Sequence, residues 1–279
     1  MESLKDIILF LDMQMKVPQP YGWFHLLCFF LTGLLTVVFC VFCKHKTRRQ
    51  VMAIVVGTAI VVAILEIYKQ FNFTFSYVDG KVIADYLWYA FPWQFCSMPM
   101  YVGLLLGIFR KGKIHDSLCA FLATYSIFAG VCVMLYPTSV FVGEIGINIQ
   151  TMVCHGSMIT IGIYLLYTGY VKLEHKTILK AIPVFVCGVL SAVVMNEIAY
   201  YTGLLETDTF NMFFISPHCE PSLPVYSLIQ AVVPYPWCLI IYVSAFSLAA
   251  YVILLLAMAI RNVVKITNRN KQNVRLLQC

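Results

Sequence analysis

Six side chains stand out by their surroundings: His25, Glu66, Gln94, His155, Asn196 and Glu197 each interrupt a long run of Leu, Ile, Val, Phe and Ala. In an apolar helix an imidazole or carboxylate can serve as a base, exchange protons or bind a polar solute. Such a group costs a few kcal/mol or more in hydrocarbon, so it usually faces a bundle interior or a wet cavity. Groups of this kind also act as helix–helix hydrogen bonds worth about 0.6 to 2 kcal/mol, with no ligand involved. Depth in the membrane distinguishes the two, and depth depends on the elements that carry the residues.

The 279 residues are 61% hydrophobic and only 11% charged, which leaves too little polar surface for a soluble globule. Of the 19 Lys and Arg, 15 fall in four clusters: Lys44, Lys46, Arg48 and Arg49; Arg110, Lys111 and Lys113; Lys172, Lys176 and Lys180; Arg261, Lys265, Arg269, Lys271 and Arg275. Lys and Arg in short loops mark the cytoplasmic side, and a span needs about 20 apolar residues. The pattern therefore predicts an all-α polytopic protein of seven transmembrane helices near 21–43, 51–70, 91–109, 115–136, 148–170, 177–201 and 231–260, with the N-terminus outside and the C-terminus cytoplasmic. Of the 13 Asp and Glu, 11 lie outside or at the outer ends of spans, in keeping with that orientation.

Direction converts position into depth. The first, third and fifth spans run inward and carry His25, Gln94 and His155 in their first two turns, while the second and sixth run outward and carry Glu66, Asn196 and Glu197 in their last. All six belong to the outer half, so a cavity among them opens outward and is closed toward the cytoplasm. The chain divides into an interfacial segment at 1–20, where Leu4, Ile7, Ile8 and Leu11 have helical spacing, a seven-helix domain at 21–260 with an outer cap loop at 202–230, and a basic cytoplasmic tail at 261–279. Residues 1–20 lack the charged start of a cleaved signal peptide.

The net charge of +6 favours anionic lipid headgroups and gives no nucleic-acid footprint. Most of the 11 cysteines sit inside apolar runs as packing residues, and adjacent His218, Cys219 and Glu220 lack metal-ligand spacing, so neither a disulfide framework, a metal nor a cofactor is expected. Asn72-Phe-Thr74 is a glycosylation sequon if the host is a eukaryote. An internal repeat is also suggested. His25 precedes Glu66 by 41 residues and His155 precedes Glu197 by 42, and the helices that follow open with Phe91-Pro-Trp93 and Tyr235-Pro-Trp237. A parallel three-plus-one-plus-three duplication would bring two His and two Glu to one central site, beside Trp93 and Trp237.

Phe91-Pro-Trp-Gln-Phe-Cys96, His155-Gly, and Phe210-Asn-Met-Phe followed by Pro217, Pro221 and Pro236-Trp237 resemble the YwaF-type family of bacterial integral membrane proteins over roughly residues 20–260. More distantly, Glu66, Pro92, His155 and Asn211-Met212 resemble vertebrate transmembrane acyltransferases that move polyunsaturated acyl chains onto ether lysophospholipids. The first resemblance implies a bacterial cytoplasmic membrane; the second implies acyl transfer with membrane lipids as partners. In the acyltransferases Cys-His follows the helix-3 proline, where this chain has Trp93-Gln94; YwaF-type sequences carry His-x-Cys, of which Gln94 and Cys96 keep only the thiol. The resemblance implies Cys96 as nucleophile, His155 as base, Gln94 or Asn196 at the oxyanion, and Glu66 orienting a histidine. The other reading is a transporter or binding protein for a small polar or amphiphilic solute, using His25, Glu66, His155 and Glu197, with Asn211 in the covering loop.

Overall fold

A computed structural model describes residues 2–203, 209–220 and 223–277. Six helices among them are long and apolar enough to cross a membrane: α2 (Trp23–Phe42), α3 (Arg48–Asn72), the segment Lys113–Leu135, α7 (Ile145–Tyr167), α8 (Lys176–Thr202) and the first 33 residues of α10 (Tyr235–Leu277). The segment Lys113–Leu135 comprises α5 (Lys113–Phe121), a π-helical turn at Leu122–Ser126 and α6 (Ile127–Leu135). The short α1 (Glu2–Leu11) precedes them, as the spacing of its apolar residues predicts.

The expected third span is not a full one. Helix α4 covers only Met98–Ile108, extended by a 3-10 turn at Phe95–Ser97. At about 1.5 Å per residue its 11 residues reach roughly half of a 30 Å hydrocarbon core. Two prolines account for the shortening: Pro92 lacks an N–H and disfavours helix at the residue before it, and Pro99 is tolerated in the first turn of α4 but not in the interior of a helix begun at residue 91. Phe91 accordingly sits at φ −50°, ψ 133°, and Gln94 is extended at φ −89°, ψ 162°. By contrast, Tyr235-Pro236-Trp237 lies inside the first turn of α10, so the two aromatic-Pro-Trp segments do not share a backbone conformation.

Between α3 and α4 lies a hairpin unseen in the hydropathy pattern, β1 (Phe75–Val78) and β2 (Lys81–Ala84), paired antiparallel from Phe75 against Ala84 to Val78 against Lys81. Asp79 and Gly80 form its turn, both with positive φ (50° and 78°), as a two-residue hairpin connection requires. The sequon residue Asn72 is half-buried, its Nδ2 donating to Leu11 O at 3.1 Å and to Tyr68 Oη at 3.0 Å.

Loops 43–47, 109–112 and 168–175 gather at one end. Tyr164 Oη donates to Cys43 O at 3.1 Å, and Arg48 lies 4.2 Å from the centre of the Tyr170 ring. Three of the four basic clusters therefore share one end of the bundle. At the opposite end Met15 N–H donates to Gly143 O, and Tyr21 Oη to Leu135 O. The buried core is aromatic, with Phe185 of α8 stacked between Tyr125 of the π turn at 4.7 Å and Phe246 of α10 at 5.6 Å. Helix α9 (Pro224–Gln230) lies in the connection before α10; residues 204–208 and 221–222 of the expected cap loop fall outside the described residues, as do the side chains beyond Thr267 in the expected tail.

Candidate functional site

Five of the six polar residues lie toward the end opposite the basic clusters, whereas His155, midway along the 23 residues of α7, lies deeper; the six belong to separate networks. His25 is fully buried and fully used. Tyr21 N–H donates to its Nδ1 at 2.9 Å, which leaves the proton on Nε2, donated to Met134 O at 2.8 Å. The ring fixes the start of α2 to the end of α6 and has no free nitrogen for a ligand.

Glu66 ties α3 to α7. Its Oε2 accepts from Gln150 Nε2 at 2.9 Å, and Oε1 accepts from Gln70 Nε2 at 2.7 Å and Lys69 Nζ at 3.3 Å. Gln70 also donates to Ala90 O at 3.0 Å and accepts from Tyr86 Oη at 2.5 Å. Lys69, Gln70, Tyr86 and Gln150 escaped the sequence reading. The first two stand one turn from Glu66 at i+3 and i+4, the signal by which they are found. Burial, with the Glu66 carboxylate nearby, pushes the Tyr86 phenol up to about 12.

Gln94 and Asn196 hold a strap of chain at 210–216. Gln94 donates through Nε2 to Asn211 O at 3.0 Å and accepts at Oε1 from Phe213 N–H at 2.8 Å. Asn196 accepts from Met212 N–H at 2.8 Å and donates to Met212 O at 3.1 Å. Asn211 Oδ1 accepts from Ser216 N–H at 2.9 Å within the strap. Irregular backbone at this depth survives only where its polar groups are satisfied by protein, and these amides satisfy them. Met212, Phe213 and Ile215 are completely buried, so the strap plugs the bundle between α4, α8 and α10. Both the oxygen and the nitrogen of the Gln94 and Asn196 amides are engaged in these backbone contacts. Trp93 packs against Tyr101 and donates to Ser191 Oγ at 3.0 Å, whereas Trp237 is 61% exposed and lies apart from the strap contacts. Glu197 accepts from His218 at 3.2 Å, and His218 stacks on Tyr200.

His155 differs from the other histidine. Its Nδ1 donates to Thr151 O at 2.7 Å, so the lone pair is on Nε2, which is buried and has no hydrogen-bond partner. The preceding residue, Cys154, points its thiol to the carbonyl of Cys96 at 4.0 Å. Cys96, in the 3-10 turn before α4, is partly buried. Thiol and imidazole are not hydrogen-bonded to one another.

Beside this centre runs an apolar groove of about 760 Å³ between α2, α3 and α7. It extends along α2 from Trp23 to Phe39, and its floor includes Thr58, Gly156, Ser157 and Ile161. Thr58, Ser157 and Ile161 also line a small inner cavity of about 30 Å³ that reaches Cys154. The groove therefore runs past Gly156 and Ser157 and adjoins the small cavity at Cys154. Among the described residues no group of three or more His, Cys, Asp and Glu is arranged to hold a metal ion.

Comparison with curated proteins and with solved structures finds no match. A family model does match, over residues 19–260, which takes in five of the six spanning helices among the described residues, most of the sixth and the whole site. By that match the chain is a multi-pass membrane protein belonging to the TMEM164 family.

Proposed function

We propose that the protein transfers acyl groups between membrane lipids, with His155 as base and Cys96 as nucleophile. The observation that carries this reading is the apolar groove leading past Gly156 and Ser157 to the cavity at Cys154, which touches Cys96. A groove of that size and lining suits an aliphatic chain, and Gly156, the residue that follows His155, lines it. The resemblance of His155, Pro92 and Asn211-Met212 to acyltransferases of ether lipids supports the same chemistry.

The steps need no further group. The Cys96 thiol gives its proton to His155 Nε2, and the thiolate attacks the ester carbonyl of a donor phospholipid. The ester C–O bond breaks, the departing lysophospholipid oxygen takes the proton from His155, and the acyl group remains as a thioester. An acceptor lysophospholipid hydroxyl then loses its proton to His155 and attacks the thioester, which frees the thiol. In this reading the thiol and imidazole meet when substrate binds, as catalytic hydrogen bonds that are loose without ligand commonly do. The solute-transport reading needs His25, Glu66, His155 and Glu197 at one point, and these four make separate sets of contacts.

Purified protein in vesicles containing a labelled phospholipid donor and a lysophospholipid acceptor tests the proposal. Transfer is expected in the wild type and is lost in both Cys96→Ser and His155→Ala. Transfer retained in Cys96→Ser but lost in His155→Ala would rule out the thioester, and no transfer by the wild type to any lysophospholipid would overturn the reading.

A further inference from the structure

At the basic end a second cavity, of about 560 Å³, opens between α3, α4 and α5. Four cations line it, Arg48, Arg49, Arg110 and Lys111, against the single carboxylate of Asp116. Among the described residues the ion pairs are Lys69 with Glu66 and His218 with Glu197, so none of the four cations has a carboxylate within 4.0 Å. Positive charges crowded without a counter-ion repel one another, and a bound anion relieves that repulsion.

The cations are held in place. The Arg48 guanidinium sits on the Tyr170 ring at 4.2 Å, Tyr170 Oη donates to His115 Nε2 at 2.8 Å, and His115 Nδ1 donates to Phe109 O at 2.8 Å. His115 is only 3% exposed, so the platform under Arg48 is anchored in the protein interior. Arg110 uses its Nε–H on Gly107 O at 3.1 Å, which leaves its terminal amino groups for a ligand. Helices α3 and α5 both begin at this cavity and add the positive ends of their dipoles. Beneath the charges, Met52, Val56 and Leu106 form an apolar wall.

We propose that this cavity binds the phosphate of an anionic membrane lipid, with the guanidinium groups of Arg48 and Arg110 on the phosphate oxygens and the acyl chain along Met52, Val56 and Leu106. Two guanidinium forks suit a phosphate, and the apolar wall distinguishes a lipid from a free anion, which would leave that wall uncovered. The positive-inside pattern sets this end against the cytoplasmic leaflet, where anionic lipids are concentrated. The site shares no lining residue with the groove and the small cavity near His155, and it stands independently of acyl transfer.

The full chain in detergent, mixed with phosphatidic acid or phosphatidylcholine and analysed by native mass spectrometry, tests the proposal. The wild type is expected to retain phosphatidic acid in preference. In Arg49→Gln/Lys111→Gln, two exposed positions, that preference falls by roughly tenfold or more, while Arg261→Gln/Lys265→Gln, basic but outside the cavity, leaves it unchanged. Equal loss in the two double variants would mean general attraction to a basic face and overturn the site. Displacement of the lipid by glycerol phosphate at equal concentration would overturn the lipid as occupant. Should the first double variant melt well below the wild type, Arg110→Lys decides: it keeps the charge but loses the fork, so retention drops several-fold if the site is real and is unchanged if it is not.

Discussion

Asn196 grips both backbone polar groups of Met212, accepting its N–H at 2.8 Å and donating to its carbonyl at 3.1 Å, with Met212 fully buried. Gln94 does the same to the neighbouring Asn211 carbonyl and Phe213 N–H. Asn196→Ala leaves an N–H and a carbonyl unsatisfied, at about 1 to 3 kcal/mol for each. Gln94→Ala has the same consequence at the other pair. Because either change releases the same strap, the double variant is expected to lose less than the sum of the two single losses. Thermal melting of the four proteins in one detergent checks this, and strict additivity would show that the strap is not held as a unit.

Gly130 brings α6 against α7 at the candidate centre. A Cβ there would stand 2.7 Å from the His155 backbone oxygen and 2.9 Å from Ile159 Cγ1, and a backbone oxygen cannot move aside as a side-chain tip can. Gly130→Ala should therefore push α7 off its seat, destabilise the protein by about 1 to 3 kcal/mol and displace His155. Lysophospholipid acylation is expected to fall with it. Gly107→Ala, whose Cβ would meet only Val56 side-chain atoms at 3.6 Å or more, serves as the tolerated control.

The long spans were legible because an apolar run bounded by polar residues reports its length, and α2, α3, α7 and α8 begin and end within a few residues of that reading. Helix α4 was not, since hydropathy sums composition and is blind to Pro92 and to the extended backbone at Gln94. The site was half legible for a related reason. A polar residue in an apolar run has one signature whether it meets a ligand, another helix or a strap, so His155 and Gln94 read alike although one has an unpaired nitrogen and the other is spent on backbone. A better signal for the strap lay in Phe210, Met212, Phe213, Phe214 and Ile215, too many apolar residues for an exposed connection and too few for a helix.

Tyr86 gives the candidate end a dependence on pH. Its neutral hydroxyl donates to Gln70 Oε1, and burial first, then the Glu66 carboxylate, raise it from an ordinary value near 10 to about 12. A group whose proton is held more tightly in the folded state adds stability that is fully present below its unfolded pKa and is lost as pH rises through the folded one. The contribution of Tyr86 should therefore be intact below about pH 10 and disappear as pH approaches 12. In Tyr86→Phe the protein should be somewhat less stable at pH 8 and its melting temperature should fall less steeply between pH 10 and pH 12. Parallel melting curves for the two proteins across that range would refute the assignment.

The strap turns through two consecutive phenylalanines in the left-handed region, Phe213 at φ 59° and Phe214 at φ 57°. For a residue with a Cβ that conformation costs roughly 1 to 2 kcal/mol, and glycine escapes it. The two positions otherwise differ, for Phe213 is completely buried against Phe95 and Phe185 while Phe214 is 41% exposed. Phe213→Gly trades the relief for a cavity of the kind that costs about 3 to 5 kcal/mol, so it should destabilise strongly. At Phe214 the relief meets a much smaller loss of burial, and Phe214→Gly should melt within a few degrees of the wild type or above it. If Phe214→Gly proved as damaging as Phe213→Gly, the exposed ring would have to be making contacts beyond this chain, and in a membrane-spanning protein the first place to look is the lipid beside the strap.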